Sequence, residues 1–508
     1  VPTLLDAYGR PIRHVRGAGV APVIRNQATY EGASQTRRAR GWAAPTVGPN
    51  TGVLGSLRTL RDRSRSATRN DGYAESGIGS LVSNMVGTGI LPQSKAPDPA
   101  FRERLHQLWL DWTDQADADG RLDFYGLQAL AVRGWLEAGE MFVRLRYRRL
   151  EDGLTVPLQV QLLEPELVPH DYDGTNGANR IRAGIELSPI GQRVAYWTLQ
   201  QRPGDPDLLE GSTRVRIPAD QVVHLYGPLR AGQLRGLPQL TRALVKLHDW
   251  DKFDDATLLR QQISNLFAGF VTRPGGAEDG DVDPLTGQPI TTEGDNAIVG
   301  LEPGLMQELN PGEKLEWSDP PDVGNMYLDF VKTQLRAASV AAGVPYEVLT
   351  GDLSGINDRT VRVILQEFRR RIEQQQHHIV AFALNRPIWR AFIQRAILAG
   401  ALAVPAAYWT DPTPWLRVEW VPPAWPYLHP VQDVEHEKAM VRSGFKSRAQ
   451  VVKERGWDVE RVDEEIAADH ARERRLGLQF DSDGSRPANG KAPAAASQPA
   501  EGDSHADE

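Results

Sequence analysis

The spacing of apolar positions changes several times along the chain, and each change marks a new element. From Leu57 to Val86 the apolar residues recur at helical spacing and stop at the Gly-rich run VGTGILP. A second helix is expected at about 99 to 114. The stretch from Asp123 to Glu137 continues helical, with Phe124, Leu127, Leu130 and Trp135 near one face. At Glu140 the period drops to two. Val143, Leu145 and Tyr147 then share one face and Arg144, Arg146 and Arg148 the other, with Phe142 an extra apolar residue, which is the pattern of a half-buried strand. Short strand-like runs follow at LQVQLLE, RIRAGIEL, RVAYWTL and QVVHLY, separated by DGTNG and SPIGQ. Residues 140–227 are therefore expected to be mostly antiparallel β, and the fold class α+β.

Pro238 opens a predicted long helix through Phe267, with Leu240, Leu244, Leu247 and Trp250 in one stripe; the first helical turn tolerates Pro because its N–H is not needed there. A Gly-, Pro- and Asp-rich excursion with short apolar runs at AIVGL and KLEW separates it from a second helix, Asp322 to Ala342, that carries Tyr327, Val331, Leu335 and Ala338 on one face. Gly343 and Pro345 end that helix, and VLTGDLSGINDRT reads as turns. A long helix from near Thr360 to about Gly400 keeps Ile364, Phe368, Ile372, Ile379 and Phe382 on one face, with a kink expected at Pro387. The run LRVEWVPPAWPYLHP must be extended. Residues 431–477 return to charged amphipathic helices, interrupted at Gly444 and Gly456.

Composition narrows the class. The 508 residues are 40% hydrophobic and 24% charged, which excludes a disordered, collagen-like or rod-like chain. With no Cys there are no disulfides, thiol nucleophiles or Cys-based zinc sites. No apolar run is long enough to span a membrane, and the opening VPTLLDAYGRPIRHVRG does not read as a secretory signal. The net charge of −8 disfavours tight bulk binding of nucleic acid. The charge is uneven, however. Residues 1–70 hold twelve Arg, including Arg58, Arg61, Arg63 and Arg65, against Asp6, Glu31 and Asp62, a balance of +9. Residues 268–321 hold eleven acids, among them Glu278, Asp279, Asp281, Asp283, Glu293 and Asp295, against Arg273 and Lys314, a balance of −9. Residues 479–508 have little to bury and are expected to be a disordered acidic tail.

Candidate chemistry is sparse. There is no GxxxxGK[ST] loop, no GxSxG elbow and no HExxH pair. Gly77 and Gly79 begin like a dinucleotide fingerprint but lie inside a predicted helix, where small residues serve packing. Asp117, Asp119 and Gly120 imitate part of a calcium loop whose remaining positions are wrong, so a solvated turn is expected. Adjacent His377 and His378 cannot form an i, i+4 ligand pair, and Glu435, His436 and Glu437 read as an exposed helix face. No catalytic, cofactor or metal site is expected. The enzymatic alternative is a metal-dependent nuclease or hydrolase using acids of the 278–295 segment, above all Asp281, Asp283 and Asp295.

Eight ordered blocks carry a family resemblance: RNDGYAESGIGSLVSNMVGTGILPQ; Trp109 to Trp112 with DADGRLDFYGLQ; RGWLEAGEMFVRL; PLQVQLLEPE; GIELSPIGQRVAYW; VVHLYGPLRAGQLRGLPQL; VPYEVLTGDLSGINDRTVR; and VEWVPPAWPYLHP. Over about residues 57 to 480 the chain resembles the portal proteins of tailed bacteriophages, in the lambda-like group. That resemblance implies a ring, usually of twelve subunits, at one capsid vertex, with double-stranded DNA passing through the centre during packaging and ejection. By the same resemblance it would be a structural protein of the virion, assembled in the host cytoplasm, not an enzyme, with no cofactor and no membrane. Its partners would be terminase, capsid and scaffold proteins, and head-completion or tail proteins.

The resemblance also implies an α/β wing, a two-helix stem, a small α+β clip, a channel loop, a long kinked helix and a helical crown. These map to a basic N-terminal arm at 1–56, wing 57–236, stem 237–267 and 322–342, clip 268–321, channel loop 343–360, long helix 361–400, an extended return to the wing 401–430, crown 431–478 and tail 479–508. Leu353, Ser354, Gly355, Ile356, Asn357, Asp358 and Arg359 would line the channel, with Arg359 either a phosphate contact or a charge at the cap of the next helix. Arg362, Arg369, Arg370 and Arg371 would face DNA or a neighbouring subunit, and the acidic clip would keep DNA from adhering.

Overall fold

The computed structural model describes residues 45–201, 213–265, 327–426 and 429–478, with four short strands between 269 and 317. Contacts divide the chain into Val1–Gly48 and Pro49–Glu508, and every element below belongs to the second unit. The arm as far as residue 44, the acidic excursion apart from its strands, and the stretch from 479 onward lie outside the described residues.

The region expected to be an arm through residue 56 already contains a helix, α1 (Pro49–Leu54), seated by buried Val53. The single helix expected over 57–86 is two, α2 (Leu57–Asn70) and α3 (Gly72–Met85). Asp71 divides them: its backbone is extended, and its carboxylate accepts from the N–H groups of Tyr73 at 2.8 Å and Ala74 at 3.2 Å. After β1 (Leu91–Ser94), α4 (Pro99–Thr113) starts with an Asp98 cap and Pro in its first turn. Helix α5 (Phe124–Ala138) is capped by Asp123 and stopped by Gly139 at φ 90°. Leu130, expected on the inward face of α5, is exposed, because Ala131 and Val132 complete the buried stripe with Leu127 and Trp135.

The β section contains β2 (Glu140–Tyr147), β3 (Leu158–Leu163), β4 (Gly174–Asn176), β5 (Asn179–Arg182), β6 (Ile185–Leu187), β7 (Arg193–Thr198), β8 (Val215–Pro218) and β9 (Val222–Tyr226). All pairings among them are antiparallel: β3-β2-β9 form one sheet and β4 to β8 a meander in sequence order. Strand β2 is covered on both sides. Val143 and Leu145 join the main helical core, while Phe142 enters a second core with Ile185, Tyr196 and Ile217. The strand is therefore buried on both faces over Glu140–Val143 and half-buried beyond, at Arg144, Arg146 and Tyr147, and Phe142, with Leu163 and Val222, packs its sheet against the meander. Arg146 and Arg148 turn toward the neighbouring strand, each donating to a Gln (Gln161 and Gln159) at 2.8 Å.

Pro238 leads into a 3₁₀ turn, Gln239–Arg242, before α6 (Leu244–Asn265) begins. Leu240, Leu244 and Leu247 are buried as the stripe predicts. Four strands follow: β10 (Gly269–Thr272), β11 (Thr292–Glu293), β12 (Asn296–Ala297) and β13 (Lys314–Trp317). β10 pairs with β13, the KLEW run, and β11 with β12. Helix α7 (Tyr327–Ala342) buries Leu335 and Ala338. It meets α6 through aromatic contacts, with the rings of Phe253 and Phe330 5.1 Å apart.

A five-residue helix, α8 (Tyr346–Thr350), interrupts what the sequence presents as continuous turns. Helix α9 (Asp358–Gln375) then passes without a break into a π-helical stretch, Gln376–Asn385, and on into α10 (Arg386–Leu398). Just before Pro387, where a kink is expected, the ladder widens: the Arg386 N–H bonds to the carbonyl of Ala381, five residues back. The wider turn rotates the apolar stripe. Val380, Ala381 and Leu384 point inward, and Phe382, expected inside, is 61% exposed. The chain returns through α11 (Ala406–Thr410) and β14 (Val418–Val421), which pairs antiparallel with β1. It closes with α12 (Pro430–Arg442), α13 (Arg448–Glu454) and α14 (Val459–Leu476), separated at Gly444 and Gly456 as predicted.

Trp109, Trp112, Phe124, Trp389 and Phe392 meet at the centre of the main core, bringing α4, α5 and α10 together; the rings of Trp109 and Phe392 are 5.0 Å apart and nearly perpendicular.

Candidate functional site

Of the segment 343–360 that the sequence singles out as a loop, α8 and the start of α9 take up part, and the loop proper, 351–357, lies between them and is tied to α7. Gly351 ends α8 in the left-handed region at φ 72°. The next residue, Asp352, organises the turn. Its carboxylate accepts from the Ser354 N–H at 2.9 Å and the Tyr346 hydroxyl at 2.9 Å, and the Lys332 ammonium on α7 lies 3.3 Å away. Lys332 also donates to the Ser354 hydroxyl at 3.1 Å. Hydrogen bonds from Ser354 and Tyr346, with Lys332, hold the Asp352 carboxyl well below the usual carboxylate range. Asn357 closes the loop by accepting from the N–H and hydroxyl of Thr360, both at 2.8 Å, and so caps α9. Leu353, Ser354, Gly355 and Asn357 are exposed and Ile356 is half-buried; the backbone of Asp358 is the first residue of α9. The anchors Asp352 and Lys332 were not among the residues read from sequence. The signal available was the TGD triplet, where Thr and Asp side chains compete for nearby backbone N–H groups.

The basic residues of α9 do not form one patch. At 3.6 residues per turn, Arg362 and Arg369 share a face, Arg359 and Arg370 another, and Arg371 a third. Arg359, Arg370 and Arg371 are exposed. Arg362 and Arg369 line a crevice of about 690 Å³ facing Trp420, Trp425, Glu373 and Glu419. The Arg369 guanidinium lies 5.3 Å from the centre of the Trp425 ring, and burial lowers its pKa.

A second constellation lies inside the protein, behind the strands. Glu140 is fully buried and accepts from Arg61, from Arg235 at 2.7 Å, from the Gly236 N–H at 3.0 Å and from His224 Nε2 at 2.8 Å. Arg61 also donates to the Ala138 carbonyl, while Arg235 donates to those of Val168, Ala183 and Pro165. Burial alone would raise the Glu140 pKa, yet Arg235 and Arg61 outweigh it and hold the carboxyl far below its ordinary range. Burial pushes His224 down to about 4 against the opposing hydrogen bond to Glu140, and its ring is stacked between Phe142 and Tyr226. Helix α2, two strands and the segment entering α6 are joined at this one carboxylate. Its position makes it a structural junction, because no solvent reaches its oxygens. The sequence presents Arg61 as part of a basic surface; the structure places it at 2% exposure.

Other sequence candidates resolve into packing. Asp117 is buried, not solvated: it accepts from the N–H groups of Asp119, Arg121 and Leu122, which lower its pKa despite its burial. A Cβ on Gly77 would lie 3.1 Å from Leu349, so that glycine admits α8 against α3. His377 and His378 are exposed with no ligand geometry. Glu437 is held by Lys446 at 2.8 Å, and Lys446 also pairs with Glu454, linking α12 to α13. The acidic group Glu278, Asp279, Asp281, Asp283 and Asp295 lies outside the described residues, and of Glu293 only the backbone, in β11, is described. Among the described residues no group of three acids or histidines could hold a metal ion, and no helix is long and apolar enough to cross a membrane.

Comparison with known proteins gives one consistent result. The family model for phage portal protein, lambda family, matches residues 35–376. A probable portal protein of Halomonas phage phiHAP-1 is 26% identical over 473 residues, covering 89% of this chain and 88% of the relative. Among solved structures, a chain from the neck of an empty GTA particle is 15% identical, with a TM-score of 0.42, covering 87% of this chain and 98% of its own. An HK97 family phage portal protein from Corynebacterium diphtheriae is 12% identical with a TM-score of 0.28, covering 59% and 84%.

Proposed function

Because the chain belongs to the lambda family of phage portal proteins, we propose that its copies close into a ring at one capsid vertex and conduct double-stranded DNA through the centre. The family match across 342 consecutive residues, 35 to 376, carries this reading. Two features of the chain support it. Helices α6 and α7 pair with each other yet leave Leu258, Leu259, Leu328 and Phe330 exposed, apolar surface that neighbouring copies would cover. The loop at 351–357 presents uncharged side chains, and its one carboxylate is already engaged by Lys332.

In this reading α6 and α7 are the stem, the excursion between them the clip, residues 343–360 the channel loop, α9 through α10 the long helix, and α12 to α14 the crown. The clip sequence carries a balance of −9. Repeated around a ring it would repel a polyanion near the exit, so that DNA slides without counterion-linked adhesion. Arg359, exposed in the first turn of α9, would be the residue of this segment that touches phosphate. The ring would serve as the platform for terminase and for head-completion or tail proteins in the virion; the protein would perform no catalysis itself, and ATP hydrolysis would belong to the motor.

Electron microscopy and native mass measurement of the purified full chain test the proposal. Closed rings with an axial hole are expected. A species that stays monomeric across salt and concentration would overturn it.

A further inference from the structure

A basic crevice of about 810 Å³ opens where α10 passes the β1–β14 ribbon. Arg386, Arg390 and Gln394, at successive helical turns of α10, form one wall, and Lys95 and Arg417 the other, joined by the hydrogen bond from the Lys95 N–H to the Arg417 carbonyl at 2.9 Å. No carboxylate lines it. Lys95 pairs with Glu419 at 3.2 Å, but Arg386, Arg390 and Arg417 have no ion pair among the described residues. Arg417 already has the Asp411 carboxylate near it, which leaves Arg386 and Arg390 as the guanidiniums without an acid; together around one concave space they favour an anionic ligand, since Arg presents a planar fork that matches carboxylate or phosphate. A duplex is convex and would reach only the rim, whereas an extended acidic peptide can enter.

The chain itself contains such a segment. Residues 479–508 carry Asp481, Asp483, Glu501, Asp503, Asp507 and Glu508 against Arg486 and Lys491. Helix α14, from which this segment continues, is fixed at its start beside the crevice. Glu460 pairs with Arg102 at 2.9 Å, and the pocket there shares Trp389 with the basic crevice. The eighteen residues of α14 carry the chain at most about 27 Å away. At about 3.3–3.6 Å per extended residue, the return needs roughly eight residues. Asp481 and Asp483 fall short of that, while Glu501, Asp503, Asp507 and Glu508 are well within reach.

We propose that the crevice between α10 and the β1–β14 ribbon binds the chain's own acidic segment at 501–508. The test is a photo-cross-linking residue in place of Gln394 in the full chain, with the linked peptide identified by mass spectrometry. Cross-links to 501–508 are expected. The yield should fall several-fold when salt rises from about 0.1 M to about 1 M, which shortens the screening length from about 10 Å to about 3 Å. Arg386→Gln with Arg390→Gln should lower it similarly. So should amide replacement of Glu501, Asp503, Asp507 and Glu508, changes outside the described fold. Cross-links confined to other segments, links to added duplex DNA instead, or a yield indifferent to both sets of substitutions would overturn the proposal.

Discussion

His224 reaches diagonally across the sheet to Glu140: it is the register partner of Phe142, yet its Nε2 lies 2.8 Å from Oε2 of Glu140, two residues earlier on β2. Both side chains are buried, and the groups facing them are Arg61, Arg193, Arg235 and Tyr226. A neutral imidazole and an ionised carboxylate are the states this packing favours.

That preference sets an acid sensitivity. His224 titrates near 4 in the fold against 6.5 ordinarily, so between these values the unfolded chain binds the additional proton. Its contribution is complete above about pH 6.5 and shrinks as pH falls toward about 4. The depressed Glu140 pKa adds a further loss as pH drops below the ordinary carboxylate value. Denaturant midpoints measured across pH should decline from pH 6.5 downward, and His224→Gln should flatten the upper part of that decline. An identical slope in the variant would exclude this origin.

Removing the carboxylate strands two buried guanidiniums. Glu140→Ala is expected to destabilise the fold by about 3–5 kcal/mol, the range for breaking a buried ion pair. Chemical denaturation of the two proteins measures it. A loss under about 1 kcal/mol, as for an exposed pair, would mean that water reaches the cluster.

Two glycines separate conformational from steric demand. A Cβ on Gly236 would overlap the carbonyl oxygen of Gly139, a backbone atom that cannot swing aside, whereas one on Gly153, at φ 73°, meets nothing within 4 Å. Gly236→Ala should abolish soluble folded protein, and Gly153→Ala should cost only about 1–2 kcal/mol. Expression yield and thermal midpoints distinguish them.

The 351–357 loop should loosen without the fold loosening. Asp352→Asn weakens the contact with Lys332 and the pull on the Ser354 N–H, so proteolysis and hydrogen exchange at 353–356 should accelerate. The global unfolding midpoint should stay unchanged. In the unmodified chain the same loosening is expected as pH falls below the ordinary Asp value, because the bound carboxylate has the lowered pKa.

Periodicity alone located β2, β3, β7 and β9, the stripe Leu240, Leu244 and Leu247, and the breaks at Gly444 and Gly456, because each depends on neighbours close in sequence; it took DGTNG, which holds β4, for a turn, read β5 and β6 as one run and passed over β8, strands too short to show an alternation. It failed where distant contacts decide. Phe142 looked surplus until a second sheet covered it, and Arg61 looked like surface until Glu140, 79 positions away, was placed beside it. Leu353 to Asn357 were legible as a loop from turn chemistry, but Lys332, its tether, sits in a different helix. Phe382 was misplaced because a 3.6-residue period was assumed through a stretch that winds more widely.

That wider winding has a geometric result. With bonds closing five residues back between Gln376 and Asn385, the loop-bearing half of the rod and its tryptophan-anchored half are indexed to different angular settings. The face that α9 presents therefore cannot be projected onto the aromatic cluster around Trp389 by a constant rotation of about 100° per residue.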